Sequence, residues 1–200
     1  MALKQYGRKP FEIFTIDDIF TEEEVAAWIA KIDDSCTKED IVAKKVRPFS
    51  SIATFHNAKV HDPFTADRIR SAITPHLPSS NSYESYDGKM WKFEEAAKSI
   101  MFAKVNTAQD FGMHTDTGCE FDKARNRFSK FTVLSYLNSD DLIGGKTEFY
   151  DDSFRNIIAT IVPRKNRTLV FDIDLFHKGH SVISGCKYWI GTELVCSRVP

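Results

Sequence analysis

Cysteine is sparse and scattered. The 200-residue chain has four, Cys36, Cys119, Cys186 and Cys196, and no two form a CxxC pair. That excludes a disulfide framework or a zinc ribbon and predicts free, packed thiols in a reducing compartment. No apolar run reaches the roughly 20 residues that a membrane helix needs. The opening MALKQYGRKP is not followed by an apolar core, so it does not read as a secretory signal, and a cytoplasmic location is expected. Basic excess is missing too: 27 Lys and Arg face 28 Asp and Glu, a net charge of -1, which gives nucleic acid no standing attraction. Repeats and low-complexity segments are absent. Asn166-Arg167-Thr168 has the spelling of a glycosylation site, but without a signal peptide it reads as chance. What remains is ordinary: 42% hydrophobic and 28% charged residues, enough for one domain with a packed core.

Two helices are predicted near the N-terminus. Thr21 and Glu24 have the spacing of a capping box, and Val25, Ala26, Trp28, Ile29 and Ile32 follow as a helical stripe. A second helix is expected from Thr65 to about His76, with Ile69, Ala72 and Ile73 inward, ending at the turn-rich residues Leu77 to Ser82. From Ser99 onward the character changes. Ile100–Val105, Phe131–Leu137, Thr147–Tyr150, Ile157–Val162, Thr168–Ile173 and Tyr188–Cys196 are short runs rich in β-branched and aromatic residues. They predict an antiparallel sandwich or barrel with a helical layer packed against it. No linker interrupts the chain, so residues 1–98 are expected to support a catalytic core at 99–197 within a single domain.

Chemistry concentrates at His114-Thr115-Asp116. In an extended segment, residues i and i+2 share a face, so the imidazole and the carboxylate can reach one point. A metal held by two ligands needs a third. Two imidazoles and one carboxylate make the facial set suited to non-haem iron(II), although a zinc hydrolase can use similar donors. His177 and His180 both stand late enough to complete the set. Lys187 lies ten residues beyond His177 at the start of an apolar run, where a cation can pair with a carboxylate of a cosubstrate.

Four blocks in order give a more specific likeness. They are Phe111-Gly112-Met113-His114-Thr115-Asp116; Thr132 to Asn138 (TVLSYLN); Gly144 to Phe149 (GGKTEF); and His177 to Val182 with Gly185-Cys186-Lys187-Tyr188 behind it. Over about half the chain this resembles the prolyl-4-hydroxylase-type branch of the iron(II)- and 2-oxoglutarate-dependent dioxygenases. The resemblance implies a mainly β, α+β fold: a double-stranded β-helix (jelly roll, cupin-like) with N-terminal helices on one sheet. It implies His114, Asp116 and His177 as the iron ligands, which decides between His177 and His180. It places Lys187 and Tyr136 on the distal carboxylate of 2-oxoglutarate, with Thr147 in the same pocket. Fe(II), 2-oxoglutarate and O2 are the implied cofactors, with ascorbate in support. The implied reaction is hydroxylation of an unactivated C–H bond in a peptidyl, amino-acid-like or small-molecule substrate, releasing succinate and CO2. Because Asp116 is present, hydroxylation is favoured over halogenation. Phe111, Asn138, Trp189 and Gly191 are candidates for the substrate wall.

Three departures from the family pattern stand out. Relatives often carry a tyrosine where this chain has Val105 and a glycine where it has Ala108. They often read KYxLRTD where this chain reads Lys187-Tyr188-Trp189-Ile190-Gly191-Thr192-Glu193, so Gly191 replaces an arginine and is expected to leave room. His180 also stands where relatives often carry another residue. Three rival readings are weaker. Gly145-Lys146-Thr147 resembles the end of a P-loop, but Asp140 stands where that loop needs glycine. A nucleic-acid demethylase of the same fold binds 2-oxoglutarate through arginines and would show a basic stripe. A metal-dependent hydrolase has no use for Lys187 and Tyr136.

Overall fold

The computed structural model describes residues 3–6, 12–35, 57–77, 82–84, 88–116, 118, 121–122 and 126–199. Cys36, Cys119 and most of the turn-rich break after Leu77 lie outside them. In chain order the elements are β1 (Leu3–Tyr6), β2 (Ile13–Asp17), α1 (Glu22–Ser35), β3 (Asn57–His61), α2 (Pro63–Ile73) with a 3-10 turn (Thr74–His76), β4 (Ser82–Glu84), β5 (Met90–Ala96), β6 (Ser99–Asn106) and β7 (Phe111–His114). Next come β8 (Phe121–Asp122), β9 (Arg127–Tyr136), β10 (Ile143–Gly144), β11 (Thr147–Tyr150) and β12 (Ile157–Ile161). The chain closes with β13 (Arg167–Asp172), β14 (Phe176–Gly179), β15 (Val182–Ser184) and β16 (Cys186–Arg198).

Two antiparallel sheets form the jelly roll. The larger runs β1-β2-β13-β9-β16-β5-β4, with β6 joining β16 to β3 and β8 pairing β9. The smaller runs β12-β11-β14-β7. The larger sheet is covered on both faces. Trp28 and Ile32 of α1 and Ile69 and Ile73 of α2 pack with Phe102, Val133, Ile190 and Leu194 on its outer face. On its inner face Val105, Tyr136, Leu169 and Trp189 meet Phe149 and Ile161 of the smaller sheet. This two-sided burial is why β13 and β16 read as continuous apolar runs rather than alternating ones. Each fully buried large side chain contributes on the order of 1.5–3 kcal/mol, and α1 and α2 are held by that burial more than by helix propensity.

The capping box is present: Thr21 N–H donates to Glu24 Oε2 at 2.7 Å, and Glu24 N–H to Thr21 Oγ1 at 3.2 Å. The second helix starts two residues earlier than its apolar stripe suggests. Asp62 caps it, accepting from Thr65 N–H at 3.0 Å, and Pro63 takes the first turn, where its missing N–H costs nothing. The N-terminal part supplies strands as well as the helical layer. Residues before 99 also supply β1 to β5, all of them in the larger sheet. β2 lies against β13, with Phe14 opposite Val170, and β5 against β16, with Ala96 opposite Leu194. Strands this short, paired with partners far away in sequence, leave little local signal. Among the described residues, no helix is long and apolar enough to cross a membrane.

Candidate metal centre and cosubstrate pocket

Three donor side chains converge between the sheets. β7 and β14 pair so that His114 and His177 are directly opposite, and their ring centroids lie 4.2 Å apart. Asp116 follows two residues after His114, its backbone N–H held by Ile173 O at 3.0 Å. One donor atom from each of the three lies within 4.8 Å of the others. His180 is not among them. Its Nε2 pairs with Glu148 Oε2 at 2.5 Å, and Glu148 also accepts from Lys146 and Tyr150.

The protonation pattern shows what the cluster is built for. His114 Nδ1 donates to Gly112 O at 2.8 Å and His177 Nδ1 to Leu175 O at 3.0 Å. A carbonyl only accepts, so each Nδ1 carries a proton, and in each ring Nε2 is the atom turned inward, available to a metal. Those two Nε2 atoms face Asp116 Oδ1 at 3.3 and 3.7 Å. His114 Nε2 is buried with no hydrogen-bond partner. A buried acceptor without a donor costs about 1–3 kcal/mol, and a cation at that point would satisfy all three groups at once. The donors are in the right state for it. Burial pushes the Asp116 carboxyl up, but His177, His114 and the Thr132 hydroxyl together hold it below its usual range. Burial keeps His177 below the usual histidine value, hence neutral.

Neighbours fix the donors in place. Thr132 Oγ1 donates to Asp116 Oδ2 at 2.5 Å, occupying one carboxylate oxygen and leaving the other for the histidines. Phe111 stacks on His114, centroids 3.8 Å apart and planes at 25°. Phe171 meets His177 edge-on at 4.7 Å. Thr132 and Phe171 were not singled out from sequence. Both lie inward on strands registered opposite each other, a relation visible only once β9 and β13 are paired.

A cleft opens from this cluster along the inner face of the larger sheet, and Lys187, Thr147, Trp189 and Gly191 line it. Lys187 is buried; its Nζ donates to Gly145 O at 2.9 Å and lies 6.0 Å from the centre of the Tyr136 ring. Burial brings its pKa down to about 8. Gly145 has φ +67, and a Cβ there would come 3.3 Å from Lys187 Cδ, so glycine clears the path of the lysine. The Tyr136 hydroxyl shares a 2.8 Å hydrogen bond with Thr147 Oγ1, and burial raises its pKa, keeping the phenol neutral. Lys187, Thr147 and Tyr136 are thus brought together at one end of the cleft.

The candidate substrate wall divides. Phe111, Trp189 and Gly191 line the cleft. Asn138 does not: its amide bridges Cys186 O at 2.8 Å and Tyr188 N–H at 2.9 Å, tying the start of β16 in place. Nor does Gly191 simply leave a space. A Cβ there would lie 3.1 Å from Val133 O and 3.4 Å from Trp189 Cζ3, so the indole covers the glycine. Val105 pairs with Lys187 and offers no hydroxyl. Ala108 takes φ 66, the left-handed conformation that glycine adopts freely. The P-loop likeness fails on geometry, because Thr147 opens a strand rather than a helix.

Residues 100–192 match the 2OG-Fe(II) oxygenase superfamily. That segment contains His114, Asp116, His177, Tyr136, Thr147 and Lys187, and the match supports a 2-oxoglutarate-dependent iron(II) dioxygenase. Fe(II), 2-oxoglutarate and O2 are the cofactors this superfamily implies, and the donor set suits iron(II). A comparison with curated proteins finds no match. Among solved structures, the chain is similar to a viral collagen prolyl hydroxylase from Paramecium bursaria Chlorella virus-1, solved as its 2OG complex, at 18% identity and TM-score 0.59 over 93% of this chain and 96% of that one. It is similar to a Pseudomonas putida prolyl-4-hydroxylase at 14% identity and TM-score 0.60, over 92% of each chain. A third likeness is to a Trichoplax adhaerens prolyl hydroxylase in complex with a hypoxia inducible factor peptide, at 16% identity and TM-score 0.62, over 92% of this chain and 84% of that one. The fold is therefore that of the prolyl hydroxylases.

Proposed function

We propose that the protein hydroxylates an unactivated C–H bond of an amino-acid-like, prolyl or other small substrate, converting 2-oxoglutarate to succinate and CO2. His114, Asp116 and His177 would hold iron(II) at the base of the cleft. When bound, the metal with 2-oxoglutarate and dioxygen supplies the oxidant for the C–H bond. Lys187 pairs with the distal carboxylate of 2-oxoglutarate, and the Tyr136–Thr147 hydroxyl pair supports it with a neutral hydrogen bond. The carrying observation is the convergence of two imidazoles and a carboxylate at the base of a cleft whose other end holds a buried lysine. A hydrolase would need the first feature but not the second. The peptide bound by the Trichoplax relative keeps peptidyl substrates within the proposal.

The test is incubation with iron(II), ascorbate and 2-oxoglutarate, with succinate as the readout. Succinate formation should require iron and should fall sharply in Lys187→Ala. No succinate with any substrate tried, together with unchanged 2-oxoglutarate binding in Lys187→Ala, would reject the assignment.

A further inference from the structure

β16 runs past the metal cluster, and its inward side chains Lys187, Trp189, Gly191 and Glu193 all line the cleft. The first lies at the cosubstrate end. The last lies in a different neighbourhood. Glu193 is the register partner of Thr132, whose hydroxyl holds Asp116. It therefore puts a half-buried carboxylate beside the metal cluster, on the cleft side. Across β6, Lys59 of β3 pairs with Met101, which pairs in turn with Gly191. Lys59 lines the same cleft and is exposed at its rim. Two strand spacings and one two-residue step put the Cα atoms of Lys59 and Glu193 roughly 12 Å apart. Side chains of their length bracket such a gap from both sides. Between them the floor is Met101 and Gly191, with the Trp189 indole lying over the glycine.

Opposite charges flanking an apolar floor fit a ligand with both charges and an apolar body. Placing a charge in an apolar cleft is unfavourable unless a partner meets it, and an internal peptide residue has neither an ammonium nor a carboxylate on its backbone. Lys59 and Glu193 each interact elsewhere in the chain as well, so the ligand would share these charges rather than neutralise idle ones. Asp110 and His180, which also line the cleft, have partners on the smaller-sheet side in Ser181 and Glu148.

We propose that the substrate is a free α-amino acid, its ammonium group met by Glu193, its carboxylate by Lys59, and its side chain laid along the Trp189 indole toward the metal. The assignment rests on the oxygenase reading above and narrows its substrate. Two readouts keep the two ideas separable. In the first, the twenty common L-amino acids are offered singly to the wild-type protein with iron(II), ascorbate and 2-oxoglutarate. At least one should raise succinate formation tenfold or more, and N-acetylation or carboxamide formation on that amino acid should cancel the rise. In the second, Mn(II) replaces iron and the relaxation of amino-acid protons by the bound ion is followed by NMR, with no turnover needed. Relaxation should weaken on blocking either end, and roughly 10- to 100-fold more amino acid should be needed in Glu193→Gln or Lys59→Gln, the loss of one charged contact. Equal response to the doubly blocked amino acid or to a proline-containing peptide would overturn the assignment. So would the absence of any response among the twenty in both readouts. Proton relaxation without succinate under any condition would instead reject the oxygenase reading and leave the amino-acid site standing.

Discussion

Lys187→Met should have effects of opposite sign on stability and on cosubstrate binding. In the free protein the ammonium group is buried with a single carbonyl partner. A lysine brought down to about 8 from 10.5 keeps its charge at pH 7 at a cost of about 3 kcal/mol, since each pH unit is worth 1.36 kcal/mol. Methionine keeps most of the volume, removes that cost, and gives up the bond to Gly145 O, a loss of about 1–2 kcal/mol. The net is a free protein stabilised by about 1–2 kcal/mol, or a rise in Tm of roughly 2–8 °C for a chain of this size. The pH dependence has a definite sign. The folded pKa is depressed, so the unfolded chain holds the proton more tightly, and wild-type stability climbs as pH rises from about 8 to 10.5. The advantage of the variant should be full below pH 8 and shrink across that window. For 2-oxoglutarate the sign reverses. Removing one partner of a buried charge pair costs about 3–5 kcal/mol, so Kd should weaken at least a hundredfold. Calorimetric melts across pH, and anaerobic titration of 2-oxoglutarate into Mn(II)-loaded protein, read the two effects. A variant less stable than wild type at pH 7, or one that binds 2-oxoglutarate normally, would refute the reasoning.

Three further outcomes are expected. Thr132→Val removes the hydroxyl that holds Asp116 Oδ2 and should weaken metal affinity about 10- to 100-fold, read by Mn(II) titration, whereas Thr132→Ser should stay near wild type. Ala108→Gly relieves a positive φ in a residue with a Cβ and should raise stability by about 0.5–1 kcal/mol, read by chemical denaturation, with no change in 2-oxoglutarate affinity. Gly191→Ala places a methyl group 3.1 Å from Val133 O and should cost about 1–3 kcal/mol. The resulting fall in Tm should accompany a changed substrate response, while cosubstrate affinity stays unaltered.

The parts of the fold legible in the sequence were those whose signal is local. The capping box at Thr21 and Glu24 needs four residues, and β11 appears over Thr147–Tyr150 as its composition predicts. β9 and β16 run longer than their apolar centres, to Arg127–Tyr136 and Cys186–Arg198, because ladder bonds to partners extend them through polar residues, including the buried Ser129 and Lys130, that composition does not mark as strand. β2 was missed because it lacks a local pattern. Ile13–Asp17 has no alternation to read when Ile13, Phe14, Thr15 and Ile16 are all buried, one face toward α1 and the other toward the sheet interior.

At the site, the motif carried the ligands but not their surroundings. His114, Asp116 and Lys187 stand at fixed spacings, and spacing survives in one dimension. Choosing His177 over His180 depended on the family likeness; in three dimensions the same choice follows from β7 and β14 placing His177 opposite His114 while Glu148 takes His180. What a linear reading cannot contain is cross-strand register. Thr132 and Glu193 are 61 positions apart in the chain yet directly paired between β9 and β16. One of them orients the metal's carboxylate and the other faces the cleft beside it. Register also reverses the first impression of Gly191: a missing side chain suggests a space, but the neighbouring strand and the Trp189 ring fill it. In the proposed substrate site, selectivity would be set by the row Lys59–Met101–Gly191–Leu134 and the pair Glu193–Thr132, and a substitution there should alter substrate choice while leaving the Lys187 end of β16 intact.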